Sequence, residues 1–422
     1  MDAWKRNLYI LWFGNFFCTA GFSMIVPFLP LYVQELGIHD EKQAALWSAF
    51  IFGINHVMVA LVSPFWGKMS DTYGQKTAMI RSGFGLTIII VCMGLVHTPW
   101  QLLLLRAVFG TMAGFSTSSV ALMAIETPKS EVGKALGTLQ TGQVTGQLLG
   151  PLLGGVMAEW FGMRNSFFLT GLFLLIATVL VVFGVKESRS YEKFRFRRKR
   201  SAESHEPLQA KPAPQRSKPT LREVVRQSPV IVALFLSTYL IAASFQSISP
   251  IISLYVKSMH VEDHVELMAG LIFASSALGT VLAAPQLGKW GDRYGHMTVL
   301  LCCLLLISIL YIPQARISDP WILMGTRFLT GLCVGGLIPS ISSMLRRLTP
   351  KSIQGSVFAY NASANSLGNV SGALFGGIVA SSFGIPIVFY IIAGVFFVHF
   401  LLLIPQYGKL EKAAIKRENA SN

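Results

Sequence analysis

Apolar runs recur along the whole chain, at about 8–33, 46–66, 77–97, 99–122, 134–158, 164–185, 229–257, 267–287, 297–315, 318–343, 356–381 and 385–406. Each is long enough to cross a hydrocarbon core of roughly 30 Å as a helix. The pattern predicts an all-α integral membrane protein with twelve transmembrane helices. An even number of spans puts both chain ends on one side. The first run is about twice as long as the core of a signal peptide. It also holds Pro27 and Pro30 rather than a small-residue cleavage site, so it is read as a retained span.

The runs fall into two matching sets of six. Gly67-Lys68-Met69-Ser70-Asp71-Thr72-Tyr73-Gly74 returns 221 residues later as Gly288-Lys289-Trp290-Gly291-Asp292-Arg293-Tyr294-Gly295. Arg106, Gly110 and Gly114 match Arg327, Gly331 and Gly335 at the same offset, and Gly146, Gly150, Gly154 and Gly155 match Gly368, Gly372, Gly376 and Gly377 at 222. Pro27, Leu31, Tyr32 and Val33 match Pro250, Leu254, Tyr255 and Val256 at 223. Internal repetition in an apolar chain points to a transporter built from two pseudo-symmetric bundles. The expected domains are a six-helix bundle at 1–185, a basic linker at 186–228, a second bundle at 229–406 and a tail at 407–422.

Charge adds orientation. Charged residues make up 13% of the chain, about half the usual share of a soluble protein. The net charge of +15 suggests nucleic acid, but its distribution does not. Lys5, Arg6, Lys68, Lys76, Arg81, Lys129, Lys134, Lys289, Arg293, Arg346, Arg347 and Lys351 fall on the side of the hairpins. The opposite loops hold Lys42, Arg164, Lys257 and Arg316. That asymmetry is the positive-inside signature and places both termini in the cytoplasm. No nucleic-acid partner is expected. The 186–228 segment carries thirteen Lys and Arg against five Glu, a composition that predicts disorder. Its Thr220–Arg226 end reads as a short helix on the membrane surface. A plain connector is preferred there over a specific anionic-lipid site. The five cysteines all fall inside spans and read as buried free thiols.

The repeated motifs carry distinct chemistry. Gly67, Gly74, Gly288 and Gly295 permit tight turns, and Asp71 and Asp292 can accept from free amides at a helix start. Both could be ordinary turns; duplication of acid and glycines favours a conformational latch. Arg106 and Arg327 lie inside their spans, where a cation usually faces a partner or cavity rather than snorkelling. Glycines 142, 146, 150 and 154 share one helical face, so span five should pack tightly and kink at Pro151. Gln143 and Gln147, like Asn361, Asn365 and Asn369, should face protein or water, as helix glue or as cavity lining.

These residues resemble the major facilitator superfamily, over essentially the whole chain. Gly67–Lys76 is similar to its hairpin motif between spans two and three, and Arg106–Gly114 to its fourth-span motif. Gly146, Gly150, Pro151, Gly154 and Gly155 resemble the fifth-span motif of drug–proton antiporters. Val26-Pro-Phe-Leu-Pro-Leu-Tyr-Val33, Ser63-Pro-Phe-Trp-Gly67 and Ala135-Leu-Gly-Thr-Leu139 are similar to an MdtG-like bacterial multidrug-efflux subgroup. The resemblance implies alternating access around a cavity lined by spans one, four, seven and ten, with export driven by proton entry. The expected wall then includes Asn15, Thr19, Phe22, Arg106, Thr117, Tyr239, Gln246 and Arg327. Amphipathic organic substrates, protons and membrane lipids are the expected partners. A bacterial cytoplasmic-membrane monomer without cofactor, energised by the proton gradient, is the expected setting.

The proton carrier is less plain. Glu35, Glu126, Glu159 and Glu266 all fall near span ends. His56 lies mid-span and either titrates or is a satisfied packing histidine. His56, Glu126 and Glu35 are the candidates for coupling. Two rival functions fit the same pattern: a lipid or glycolipid flippase of the same fold, and a membrane receptor or scaffold without transport. An enzyme is not expected, since no nucleophile–base set, metal-ligand cluster or phosphate-binding loop is present.

Overall fold

The computed structural model describes residues 3–128, 131–187, 230–259, 264–349 and 353–418. Most of the predicted linker therefore lies outside the described residues. Among those described, fifteen helices follow in order. The first half contains α1 (Ala3–Met24), α2 (Leu29–Glu35), α3 (Glu41–Tyr73), α4 (Gln75–Gly94), α5 (Pro99–Thr111), α6 (Phe115–Glu126), α7 (Val132–Phe161) and α8 (Met163–Gly184). The second contains α9 (Val230–Ile248), α10 (Ile252–Ser258), α11 (Val265–Tyr294), α12 (His296–Gln314), α13 (Pro320–Leu348), α14 (Gln354–Phe383) and α15 (Ile385–Glu418).

Every predicted run falls on one helix or on a consecutive pair. Nine helical segments meet a length and hydropathy test for membrane crossing, and the α1–α2 pair, bent by 50°, makes a tenth. The helices that fall short are α7 and α14. Both carry the glycine and amide-rich motifs, and both pack against the other half, so less of their surface needs to suit lipid.

The repeat is visible in the packing. In each half the first helix packs on the glycine motif helix, α1 on α7 and α9 on α14. Likewise α3 pairs with α5 as α11 does with α13, and α4 with α8 as α12 does with α15. The stripe of glycines explains the first of these contacts. A Cβ added to Gly146, Gly150 or Gly154 would meet the carbonyl oxygens of Phe16, Ala20 and Met24; in the other half Gly368, Gly372 and Gly376 meet those of Tyr239, Ala243 and Ser247. Only a hydrogen at those positions lets the backbones touch. Helix α7 runs uninterrupted through Pro151.

Proline also breaks spans one and seven, after which a short helix carries a tyrosine back to its own bundle. Tyr32 donates to the Met93 carbonyl at 2.9 Å and its ring lies 4.9 Å from Phe167. Tyr255 donates to the Gln314 carbonyl at 2.7 Å and lies 5.1 Å from Phe389. These are equivalent residues holding equivalent helix ends.

The halves meet through α3 against α14 and α7 against α11. The close contacts lie at the end of the molecule opposite the hairpins. A Cβ on Gly155 would strike the Glu266 carbonyl at 2.6 Å, one on Gly270 the Pro151 carbonyl at 2.5 Å, and one on Gly377 the Ala45 carbonyl at 2.7 Å. Thus the first glycine of each Gly-Gly pair binds its own bundle and the second binds the other. Lys257 donates to Gln34 across this face at 2.8 Å and Glu159 is paired with His264; within the first half, Arg164 pairs with Glu35 at 3.2 Å. At the hairpin end, Gly67, Gly133, Gly137 and Gly288 have open space around them.

Candidate functional site: a cavity at a broken fourth span

Span four is two helices. Between α5 and α6 the residues Met112–Gly114 leave the helix, and Gly114 adopts φ +134°, a conformation open to glycine. The carbonyls freed by this break are taken up by neighbouring side chains. Trp66 donates from Nε1 to the Thr111 oxygen at 2.5 Å, Ser82 from Oγ to Met112 at 2.6 Å, and Arg81 from Nη2 to Ala113 at 3.3 Å. The Arg81 guanidinium lies over the Trp66 ring, 3.3 Å from its centroid. Irregular backbone at membrane depth survives where protein or water satisfies it.

A cavity of about 530 Å³ opens beside the break. Its apolar wall comprises Phe22, Val59, Trp66, Leu86, Phe109 and Leu174, and it runs down to Gly67, Ser70 and Gln75 at the hairpin turn. Thr19, Asn55, Ser63, Ser116 and Thr117 add hydroxyl and amide groups. Arg81 is the charged side chain of this wall among the described residues. Of the eight predicted cavity residues, Thr19, Phe22 and Thr117 line it.

The other five lie elsewhere. Asn15 is buried in a network, donating to the Leu11 carbonyl and to Ser119 at 2.7 Å each and accepting from Gln143 at 3.1 Å. It joins spans one, four and five as helix glue. Tyr239 accepts from Ser371 at 2.9 Å, and Gln246 is half-buried on α9. Arg106 is 2% exposed and sits behind the cavity-lining Phe109, its Cζ 6.0 Å from that ring and 5.8 Å from Phe52. Arg327 is 5% exposed, between Tyr311 and Phe389 at 5.7 and 5.5 Å. In both arginines Nε and Nη2 have no hydrogen-bond partner among the described residues, so neither is snorkelling to water. Tyr311 is thus one of the two aromatic neighbours of Arg327. The residue equivalent to Tyr311 in the first half is Ile90, so Arg106 lacks that contact.

The hairpins differ from the sequence expectation. Gly74 and Gly295 both hold φ of +96°. The start of α4 is capped by Glu187, whose two oxygens accept from the Gln75 and Lys76 amides at 2.9 and 3.1 Å. Asp292 does not cap α12; it pairs with His296 one turn on at 3.2 Å and with Arg347 of the same half at 3.5 Å. Asp71 lies in the last turn of α3, and its side chain is outside the described residues. Glu187 gave no sequence signal, because it was read as one more charge of the predicted linker, with no repeat or motif around it.

The coupling candidates are dispersed. His56 is half-buried with its ring 6.3 Å from Phe22. Glu35 pairs with Arg164 at the end opposite the hairpins, and Glu126 closes α6. Among the cysteines, Cys303 and Cys333 are buried, Cys18 and Cys92 are half-buried, and Cys302 is exposed; buried thiols were expected throughout. No group of three metal-binding side chains occurs among the described residues.

The architecture has many solved counterparts. A bacterial homologue of the human lysosomal transporter Spinster, solved in an inward-facing, occupied conformation, superposes with a TM-score of 0.75 over 95% of this chain and 96% of its own at 13% identity. A peptide transporter bound to sulfate superposes at 0.72 over 96% and 95%, at 16% identity. The sequence has nearer relatives. It is 40% identical over 387 residues to YuxJ of Bacillus subtilis, described as an uncharacterized MFS-type transporter, covering 92% of this chain and 95% of that one. It is 38% identical over 396 residues to the multidrug resistance protein MdtG of Dickeya zeae, covering 93% and 92%. The model of the Major Facilitator Superfamily matches residues 11–266 and 234–421. With that match on top of the repeated bundles, the chain belongs to the major facilitator superfamily.

Proposed function

We propose that this chain is a secondary transporter that exports amphipathic organic compounds across the bacterial cytoplasmic membrane by alternating access, with proton entry as the energy source and no bound cofactor. The observation that carries this reading is the cavity: it reaches the hairpin turn, while backbone contacts join the halves at the opposite end of the molecule. The positive-inside charge distribution supports a cytoplasmic hairpin end, and on that orientation the cavity loads from inside. An aromatic wall with a few hydroxyl and amide groups suits varied amphiphiles better than one exact ligand. Relatives of similar length bear the name multidrug resistance protein, which supports the same substrate range.

The test is flux in proteoliposomes with an imposed pH gradient, using dyes, antibiotics and a labelled glycolipid side by side. Gradient-dependent movement of several dyes or antibiotics is expected. Movement of the glycolipid alone would assign a flippase, and binding without flux a receptor.

A further inference from the structure

Resting on the transporter reading, we propose that the cavity beside the break in span four binds the anionic headgroup of an amphipathic substrate, with Arg81 as its anchor. The wall has no carboxylate among its described side chains, and its charged member is an arginine. Among the described side chains a guest cation would find no counter-charge there to offset its lost hydration, and such a loss is costly.

Arg81 is not fully used by the fold. It gives Nη2 to the Ala113 carbonyl, while Nε and Nη1 are buried without a hydrogen-bond partner among the described residues. Its Cζ lies 3.3 Å from the Trp66 ring centroid, and the two unused donors are what a carboxylate, sulfonate or phosphonate would engage. The start of α6 adds to this. Gly114 caps that helix without a side-chain hydrogen bond, and Phe115, Ser116 and Thr117, whose amides begin the helix, all line the cavity. Unpaired amides at a helix start favour an anion. The apolar body of the guest would lie against Phe22, Val59 and Phe109.

The repeat does not carry this arginine twice. At the matching place in the second half, 221 residues on, stands Cys302, and span ten there is one continuous helix. Arg81 therefore belongs to what distinguishes the first half.

Three probes with one hydrocarbon body separate charge from shape: 4-phenylbutyrate, its methyl ester and 4-phenylbutylammonium. Titration calorimetry on the purified full chain in an uncharged detergent should give the carboxylate at least about tenfold tighter binding than the ammonium. Arg81→Gln should bring the two within about threefold, and Arg81→Lys should fall between. Tighter binding of the ammonium, or no carboxylate binding at about 1 mM, overturns the proposal without any variant. A folded Arg81→Gln with an unchanged ratio also overturns it. Displacement of the carboxylate by dihexanoyl phosphatidylglycerol at lower concentration would assign the site to a lipid headgroup instead of a free solute, again against the proposal. Flux of the same three probes separates the two readings. Flux of the ester or ammonium alone keeps export and sinks the anion site; Arg81-dependent carboxylate binding without flux of any probe does the reverse.

Discussion

Spans four and ten occupy equivalent places, carry the same Arg-xxx-Gly-xxx-Gly motif, and differ in continuity. Span four breaks at Met112–Gly114, whereas α13 runs unbroken through Gly331 and Gly335. The residues around them explain why. The three side chains that satisfy the freed carbonyls of span four are Trp66, Arg81 and Ser82; 221 residues on, the same places hold Leu287, Cys302 and Cys303. There, Leu287 and Cys303 pack against the helix at Gly336. A break without donors would leave backbone groups unsatisfied in an apolar setting, at a cost of several kcal/mol each. Gene-scale duplication fixed the frame, and three substitutions decide which half can open its fourth helix.

The largest effect should fall on what the two spans share. A Cβ on Gly110 would strike the Asn55 carbonyl at 2.5 Å, and one on Gly331 would strike the Ser276 carbonyl. Gly110→Leu and Gly331→Leu should both abolish monodisperse protein in size-exclusion chromatography, since neither backbone neighbour can retreat. Tolerance of one but not the other would show that the shared motif has unequal structural duty.

The arginines come next. Lysine keeps the charge but loses the planar fork. Arg327 has the Tyr311 ring beside it, and Arg106 has Ile90 at the equivalent place. Arg106→Lys should lower flux by about tenfold or more, and Arg327→Lys by only about threefold, in proteoliposome assays. Equal losses would mean that both act as symmetrical packing elements.

A smaller effect is expected at the break itself. Trp66→Phe removes the donor to Thr111 while keeping the ring under Arg81. Folding stability should drop by about 1 kcal/mol in thermal unfolding. Leu287→Met, at the matching position, should be close to neutral. The smallest contrast is at the hairpins. Glu187→Gln weakens an anion at a helix start and should cost about 0.5–1 kcal/mol. Asp292→Asn loosens a pair whose members are 72% and 65% exposed, and should stay within about 0.5 kcal/mol.

The sequence exposed the frame well and the site less well. Twelve apolar runs, the repeat offset and the glycine stripe are one-dimensional signals, and their spacing maps directly onto helices and helix contacts. Gly146, Gly150 and Gly154 could be assigned to a close contact because backbone approach demands glycine whatever the partner. Asn15 and Tyr239 were expected on the cavity wall because they are polar in the right spans, yet the wall is decided by helix rotation and by partners from distant spans. Arg81 looked like one more cation of the hairpin side. Its meaning depends on a helix break six residues beyond Arg106, and no spacing rule announces such a break. Asp71 and Asp292 stood out as acceptors for a nearby helix start because they are repeated, but at the start of α4 an unrepeated acid, Glu187, reaches the amides.

The most direct test of alternating access is to prevent the closed end from opening. Lys257 and Gln34 bridge the two halves there at 2.8 Å. In a background lacking the five native cysteines, Gln34→Cys and Lys257→Cys can be joined by a short bifunctional thiol reagent and released by reductant. Flux of the best-transported compound from the proteoliposome panel should stop on joining and return on release, with binding to the purified protein retained throughout. Undiminished flux through the joined protein would contradict the account.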